Sequence, residues 1–150
     1  MKKLIVVLFA LLLLTSCSSV PEPDAHELAN KIISGQSAGE FEEADGDMIS
    51  ILFGLDVEDF SDCAVYYSKE PACADIIIIF KSDKKETLES VKEVLEEFRQ
   101  SRIEDFKGYA PEEAAKLEES KVIIKGKYDI LAVMPDSQTA QETINTAFEK

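Results

Sequence analysis

Cys63 and Cys73 are the first candidates for covalent chemistry. They flank Lys69-Glu70-Pro71, a break between two strand-forming runs. Outside the cytoplasm two thiols can form a disulfide, provided their Cα atoms come within about 7 Å. Strand register decides. Pairing of Tyr67 with Cys73 keeps the sulfurs apart, whereas pairing of Cys63 with Cys73 lets them bond. Otherwise both are small apolar residues of the interior. A redox or nucleophilic role lacks the close CxxC spacing and a neighbouring base. Proton transfer near neutral pH usually falls to histidine. The one histidine, His26, stands near the start of the chain and reads as a solvent-facing helix residue. Glu42, Glu43, Asp45 and Asp47 surround Gly46, and oxygen ligands on such a loop suit calcium. The EF-hand order is missing, however, which favours a solvated acidic loop. No Gly-rich phosphate loop, GxSxG elbow or HExxH motif occurs. The reading is therefore no catalytic residue, no metal and no cofactor. Tyr66, Tyr67, Tyr109 and Tyr128 are the candidates for a contact surface, because tyrosine joins an apolar body to a polar tip. Core packing with a bonded hydroxyl is the alternative.

Cys17 offers a different chemistry. Lys2 and Lys3 precede an uncharged apolar run from Leu4 to Leu14, and Leu14-Thr15-Ser16-Cys17 closes it. A basic head, a short apolar segment and small residues at a cleavage point make an export signal. The run is shorter than the roughly 20 residues a spanning helix needs. The tetrapeptide resembles the bacterial lipobox, in which the cysteine thiol is lipidated. Each buried methylene contributes about 0.8 kcal/mol, and stable anchoring takes two chains. The expectation is a signal peptide over residues 1–16, a lipidated Cys17 with a linker through Pro23, and one domain over residues 24–150.

The chain has 16 Lys+Arg against 30 Asp+Glu. Residues 1–16 hold Lys2 and Lys3 and no acid, so the remainder carries 14 cations against 30 acids. Nucleic acid would be repelled, since its binding depends on Lys/Arg contacts to phosphate. The acidic surface mainly keeps a domain soluble.

The elements that must position these residues follow from periodicity. Asp24 reads as an N-cap for a helix with Leu28, Ala29, Ile32 and Ile33 on one face, stopped by Gly35. The polar stretch from Gln36 to Gly46 reads as a loop. A short helix from Asp47 to Phe53 is expected to bury Met48, Ile51 and Leu52. Cys63–Tyr67 and Ile76–Phe80 read as strands, the second central or covered on both faces. Asp83 starts the firmest helix, with Leu88, Val91, Leu95 and Phe98 at steps of three and four. Pro111 opens another helix through Glu119. Val122–Ile124 and Tyr128–Met134 form a second strand pair around Gly126. Asp136 or Ser137 caps a last helix bearing Ala140, Ile144, Ala147 and Phe148. The order α-α-β-β-α-α-β-β-α predicts an α+β fold with a four-stranded antiparallel sheet from two hairpins and helices packed on it. The similar placement of Asp75–Phe80 and Asp129–Met134 before helices admits a duplicated ββα unit.

Several short motifs follow one another along the chain: Phe53-Gly54-Leu55-Asp56, Ala74-Asp75-Ile76 leading into Phe80-Lys81, Tyr109 with Pro111-Glu112, and Gly126 before Tyr128. Over Met48 to Asp136 the chain resembles a family of uncharacterised bacterial lipoproteins defined only as a domain of unknown function. Asp75 stands where that family is expected to have Glu, and Lys127 where Asn is commoner. The resemblance implies a membrane-anchored envelope domain and assigns no catalytic residue.

The function expected is a cell-envelope lipoprotein on the extracytoplasmic face of the membrane. Its partners are the lipid bilayer, through Cys17, and an envelope protein it binds or scaffolds. The alternative is a solute-capturing module serving a membrane complex. An enzyme has the fewest supporting residues.

Overall fold

The computed structural model describes residues 20–149, so Cys17 and the expected signal peptide lie outside the described residues. In chain order the elements are α1 (Ala25–Ser34), β1 (Phe41–Glu43), α2 (Gly46–Phe53), a 3-10 turn (Val57–Asp59), β2 (Asp62–Ser68), β3 (Ile76–Lys81), α3 (Lys85–Lys107), α4 (Pro111–Glu119), β4 (Val122–Lys125), β5 (Tyr128–Val133) and α5 (Ser137–Ala147).

The continuous apolar run of β3 needs cover on both faces, and it receives it. The sheet is antiparallel with order β1-β2-β3-β5-β4, which puts β3 in the middle. Ile76, Ile78 and Phe80 point into a core shared with Val91, Leu95 and Phe106 of α3. Ile77 and Ile79 point the other way, onto Leu28 and Ile32 of α1 and Ile144 of α5. Alternation along a strand thus feeds two cores, one per face. The result is a sheet between two helical layers in an α+β fold.

The two expected hairpins form and join through β3 and β5, where Ile78 pairs with Leu131. The four-stranded expectation needs one correction. Phe41–Glu43, read as part of a loop, forms β1 and adds a fifth strand at the edge, with Glu42 opposite Tyr67. Gly126 opens the two-residue turn between β4 and β5 with φ +58°, the position where a tight hairpin loop needs glycine.

The caps follow the sequence in two places and depart from it in one. Asp24 accepts from Glu27 N at 2.9 Å and Asp136 from Thr139 N at 2.9 Å. At α3 the N-cap is Lys84, without a side-chain cap, rather than Asp83. Asp83 instead pairs with Lys127 at 2.8 Å.

The segment leading into α1 is fastened to one end of the sheet. Tyr128 Oη donates to the Pro23 carbonyl at 2.8 Å. Glu22 bridges Lys81 at 2.9 Å and Lys127 at 3.0 Å. The Ala25 N–H donates to Asp62 at 2.8 Å. Lys81 stands between Asp62 and Tyr128 in register, so these ties fall at that end. Among the described residues, no helix is long and apolar enough to cross a membrane.

Candidate functional site

At the opposite end of the sheet, where β2 turns into β3, a cleft of about 310 Å³ opens between α2, α3 and the turn. Phe98 and Tyr67 form its aromatic sides, Ile76 and Leu117 its deep apolar wall, and Met48 and Leu52 its lip on α2. The lip continues outward. Met48 is 37 % exposed, Leu52 38 % and Ile51 79 %.

This reverses the expectation for α2. Its buried residues are Ile49 and Phe53, one helical turn apart, and Met48, Ile51 and Leu52 face outward. Phe53 is held by Phe98 at 5.0 Å and by Phe80 at 6.0 Å between ring centroids. Gly54 ends the helix with φ +67°, and Asp56 caps the following 3-10 turn through Glu58 N at 3.0 Å. The Phe53-Gly54-Leu55-Asp56 motif therefore fixes how α2 sits against the core.

Beside the cleft floor lies a charged cluster. Lys116 Nζ donates to Asp75 Oδ1 in a very short contact and reaches Glu113 Oε2 at 2.6 Å. Glu113 Oε2 also accepts from Ala74 N at 2.7 Å, which ties the start of β3 to α4. Cys73 Sγ stands 4.0 Å from the ammonium. Burial opposes the charge on Lys116, yet hydrogen bonds to Asp75 and Glu113 outweigh it and raise its pKa above the ordinary lysine value. Burial raises the Cys73 thiol, only partly offset by the Asp75 backbone, Ser68 and Lys116, so it stays protonated near neutral pH.

Cys73, Asp75 and Glu113 bring ligand atoms within 4.8 Å of one another, close enough to hold a metal ion. The Lys116 ammonium already bonds both carboxylates of this set. A protonated thiol and an ion-paired amine supply neither a thiolate nor a free base. The cluster does mechanical work, locking α4 to β3 beneath the cleft. Arg99 of α3 adds to it, forking onto Glu96 at 3.0 and 2.9 Å and donating to the Leu117 carbonyl at 3.1 Å.

The sequence candidates scatter around this site. Among the described residues Cys63 and Cys73 are both free thiols. Neither register considered from the sequence occurs: Cys63 pairs with Phe80 and Tyr67 with Ile76, so Cys73 lies beyond the paired residues. The four steps from Cys63 to Tyr67 alone span about 13 Å at ~3.3 Å per residue. Burial, with help from Asp62 and Glu43, raises the Cys63 thiol as well.

The four tyrosines do not share a surface. Tyr128 is buried and meets Phe148 edge-on, with 5.0 Å between ring centroids, the core-packing alternative for this residue. Tyr109 is 61 % exposed and packs on Phe106. Tyr66 and Tyr67, adjacent on β2, point to opposite faces, and only Tyr67 lines the cleft. On the other face Tyr66 Oη donates to Glu43 at 3.0 Å and lies 3.2 Å from His26 Nδ1. His26 thus bonds across to the sheet from α1, rather than facing solvent alone. The acidic loop is ordered by its own work: Asp45 caps α2 through Met48 N at 2.8 Å.

Two features escaped the sequence reading. One is the Asp75–Glu113–Lys116 lock. Its trace was a charge set just before an apolar strand and an i, i+3 acid–base pair on a helix. The other is Asp129, a lone charge in an apolar run. It is 0 % exposed, and among the described residues neither carboxylate oxygen has a hydrogen-bond partner. Burial pushes its pKa up to about 6, with Lys92 pulling weakly the other way.

No curated protein and no solved structure matches the chain. A family pattern does, over residues 35–134. That span holds the whole sheet, the cleft and the lock, and leaves α1 and α5 at its flanks. The chain belongs to the family described as a domain of unknown function, DUF4358.

Proposed function

We propose that this protein is a lipid-anchored envelope domain that binds another protein without catalysing a reaction, and that the cleft with the outer face of α2 is its binding surface. One observation carries the assignment of the surface. Met48, Ile51 and Leu52 lie exposed on one short helix and lead directly into an apolar-walled cleft. Apolar side chains grouped at a surface and rimmed by charge mark interaction sites. The charged groups at the cleft floor are engaged with one another, which leaves the apolar walls as the part free to bind.

The anchor rests on Leu14-Thr15-Ser16-Cys17 and the apolar run before it. A tether confines the domain near other surface proteins and raises its effective concentration there. Solute capture is the second reading, supported by the cleft volume of about 310 Å³, which lies at the small end of ligand pockets.

Two measurements test the proposal. Cells fed labelled palmitate should yield a labelled chain, and Cys17→Ala should abolish the label. A photo-crosslinking residue at Ile51 should capture a defined envelope protein, while one at Ile124, exposed on β4, should not. Equal products from both sites would remove α2 as the binding surface.

A further inference from the structure

The chain between Lys31 and Lys69 contains no lysine or arginine and nine acids. This stretch holds β1, the 3-10 turn and α2, whose Met48 and Leu52 form the lip of the cleft. Glu42 sits opposite Tyr67 in register, and burial together with Glu42 and Asp45 raises the Tyr67 phenol. Asp47 precedes Met48 in the first turn of α2. Among the described residues, neither Glu42 nor Asp47 has an ion-pair partner. The cations of the far rim are already engaged: Lys69 pairs with Glu40 at 3.2 Å, and Arg102 lies over Phe106 and 3.6 Å from Asp105.

We infer that the cleft and the outer face of α2 receive a cationic amphipathic segment of a partner protein, its apolar side chains entering between Leu52 and Phe98 and its lysines or arginines meeting Glu42 and Asp47. This rests on the binding surface proposed above and adds the chemistry of the occupant. A second copy of the chain fits less well, because it would bring the same acidic rim against itself, and like charges across an interface oppose association. Apolar anchors supply affinity in such contacts, and opposite charge supplies selectivity and speed of encounter.

The test uses the full-length chain and three fluorescent 14-residue peptides, with blanks for peptide bound by detergent. All three carry one Leu/Met/Phe helical stripe. Their polar faces are Lys-rich, Gln-rich or Glu-rich. A fourth peptide is Lys-rich and lacks the stripe. The Lys-faced amphipathic peptide should bind tightest, by roughly tenfold over the Gln-faced one, and should weaken as salt rises. Ile51→Ser should weaken it by about tenfold, and Glu42→Gln with Asp47→Asn should abolish its advantage over the Gln-faced peptide. Equal binding of Lys- and Gln-faced peptides, both lost in Ile51→Ser, would overturn the cationic occupant and leave the binding surface standing. No binding by any striped peptide, or equal binding by the stripeless one, would overturn both. Self-association of the full chain that Ile51→Ser abolishes would assign the surface to a second copy and overturn the inference.

Discussion

Lys116 and Asp75 meet across the joint between α4 and β3, with the ammonium the chief partner of a carboxylate that is almost wholly buried. The pair makes a helix and a strand remote in sequence into one rigid floor for the cleft.

Lys116→Met leaves Asp75 and Glu113 without their cation. Breaking such a pair from one side strands a buried charge and costs on the order of 3 kcal/mol. The urea midpoint should fall accordingly. Lys116→Met combined with Asp75→Asn should lose less than the two single losses added together, since neutral Asn removes one of the two stranded charges and leaves only Glu113. The pH dependence has a definite sign. The folded-state pKa of Lys116 lies above its ordinary 10.5, so its contribution is complete below pH 10.5 and is lost as pH rises through the folded value. An unchanged urea midpoint in Lys116→Met would show that the lock carries no stability.

Asp129 gives a slope of the same sign in a lower pH range. Its carboxyl titrates near pH 6 in the fold, against 3.8 for a free carboxyl. The folded chain holds this proton where the unfolded chain has released it. Stability from this group is therefore full below about pH 3.8 and declines as pH rises to about 6, after which the loss is complete. The whole change is about 3 kcal/mol. Asp129→Asn should flatten that part of the profile and raise the urea midpoint at pH 7. A profile that keeps its slope in Asp129→Asn would assign the slope to other acids.

The two cysteines are expected to stay reduced. After purification from cells and unfolding in denaturant, peptides containing Cys63 and Cys73 should be alkylated to the same extent with and without prior reductant. A linked peptide recovered only without reductant would contradict the register of β2 on β3. In the folded protein both thiols should react slowly near pH 7, because burial keeps them protonated.

Tyr128→Phe removes the hydroxyl that holds the Pro23 carbonyl and keeps the ring against Phe148. A loss of about 1 kcal/mol is expected, with faster amide exchange at Glu22 and Asp24. Unchanged exchange there would mean that Glu22, through Lys81 and Lys127, holds the segment unaided.

Much of this architecture is legible in the amino-acid sequence, and what is not has physical causes. The β3 run announced a strand covered on both faces, because five apolar residues in succession leave no face for water. The α3 stripe announced itself by steps of three and four. α2 did neither. Met48-Ile49-Ser50-Ile51-Leu52-Phe53 is apolar almost all round, so periodicity could not say which side faces inward. β1 was invisible because an edge strand of Phe-Glu-Glu needs backbone pairing more than hydrophobic alternation. The lock was invisible because its members come from β3 and α4, and no local rule brings Asp75 to Lys116.

The grip of Tyr128 and Glu22 on Pro23 and its neighbours gives the domain a top and a bottom. Only a handful of residues separate Glu22 from Cys17, a reach of at most about 18 Å at ~3.5 Å each. A lipid on Cys17 would keep the Lys81 pole close above the headgroups and turn the mouth beside Met48 and Tyr67 away from them. Such a molecule would stand upright on the bilayer, meeting whatever arrives from the aqueous side and ignoring the lipid beneath it.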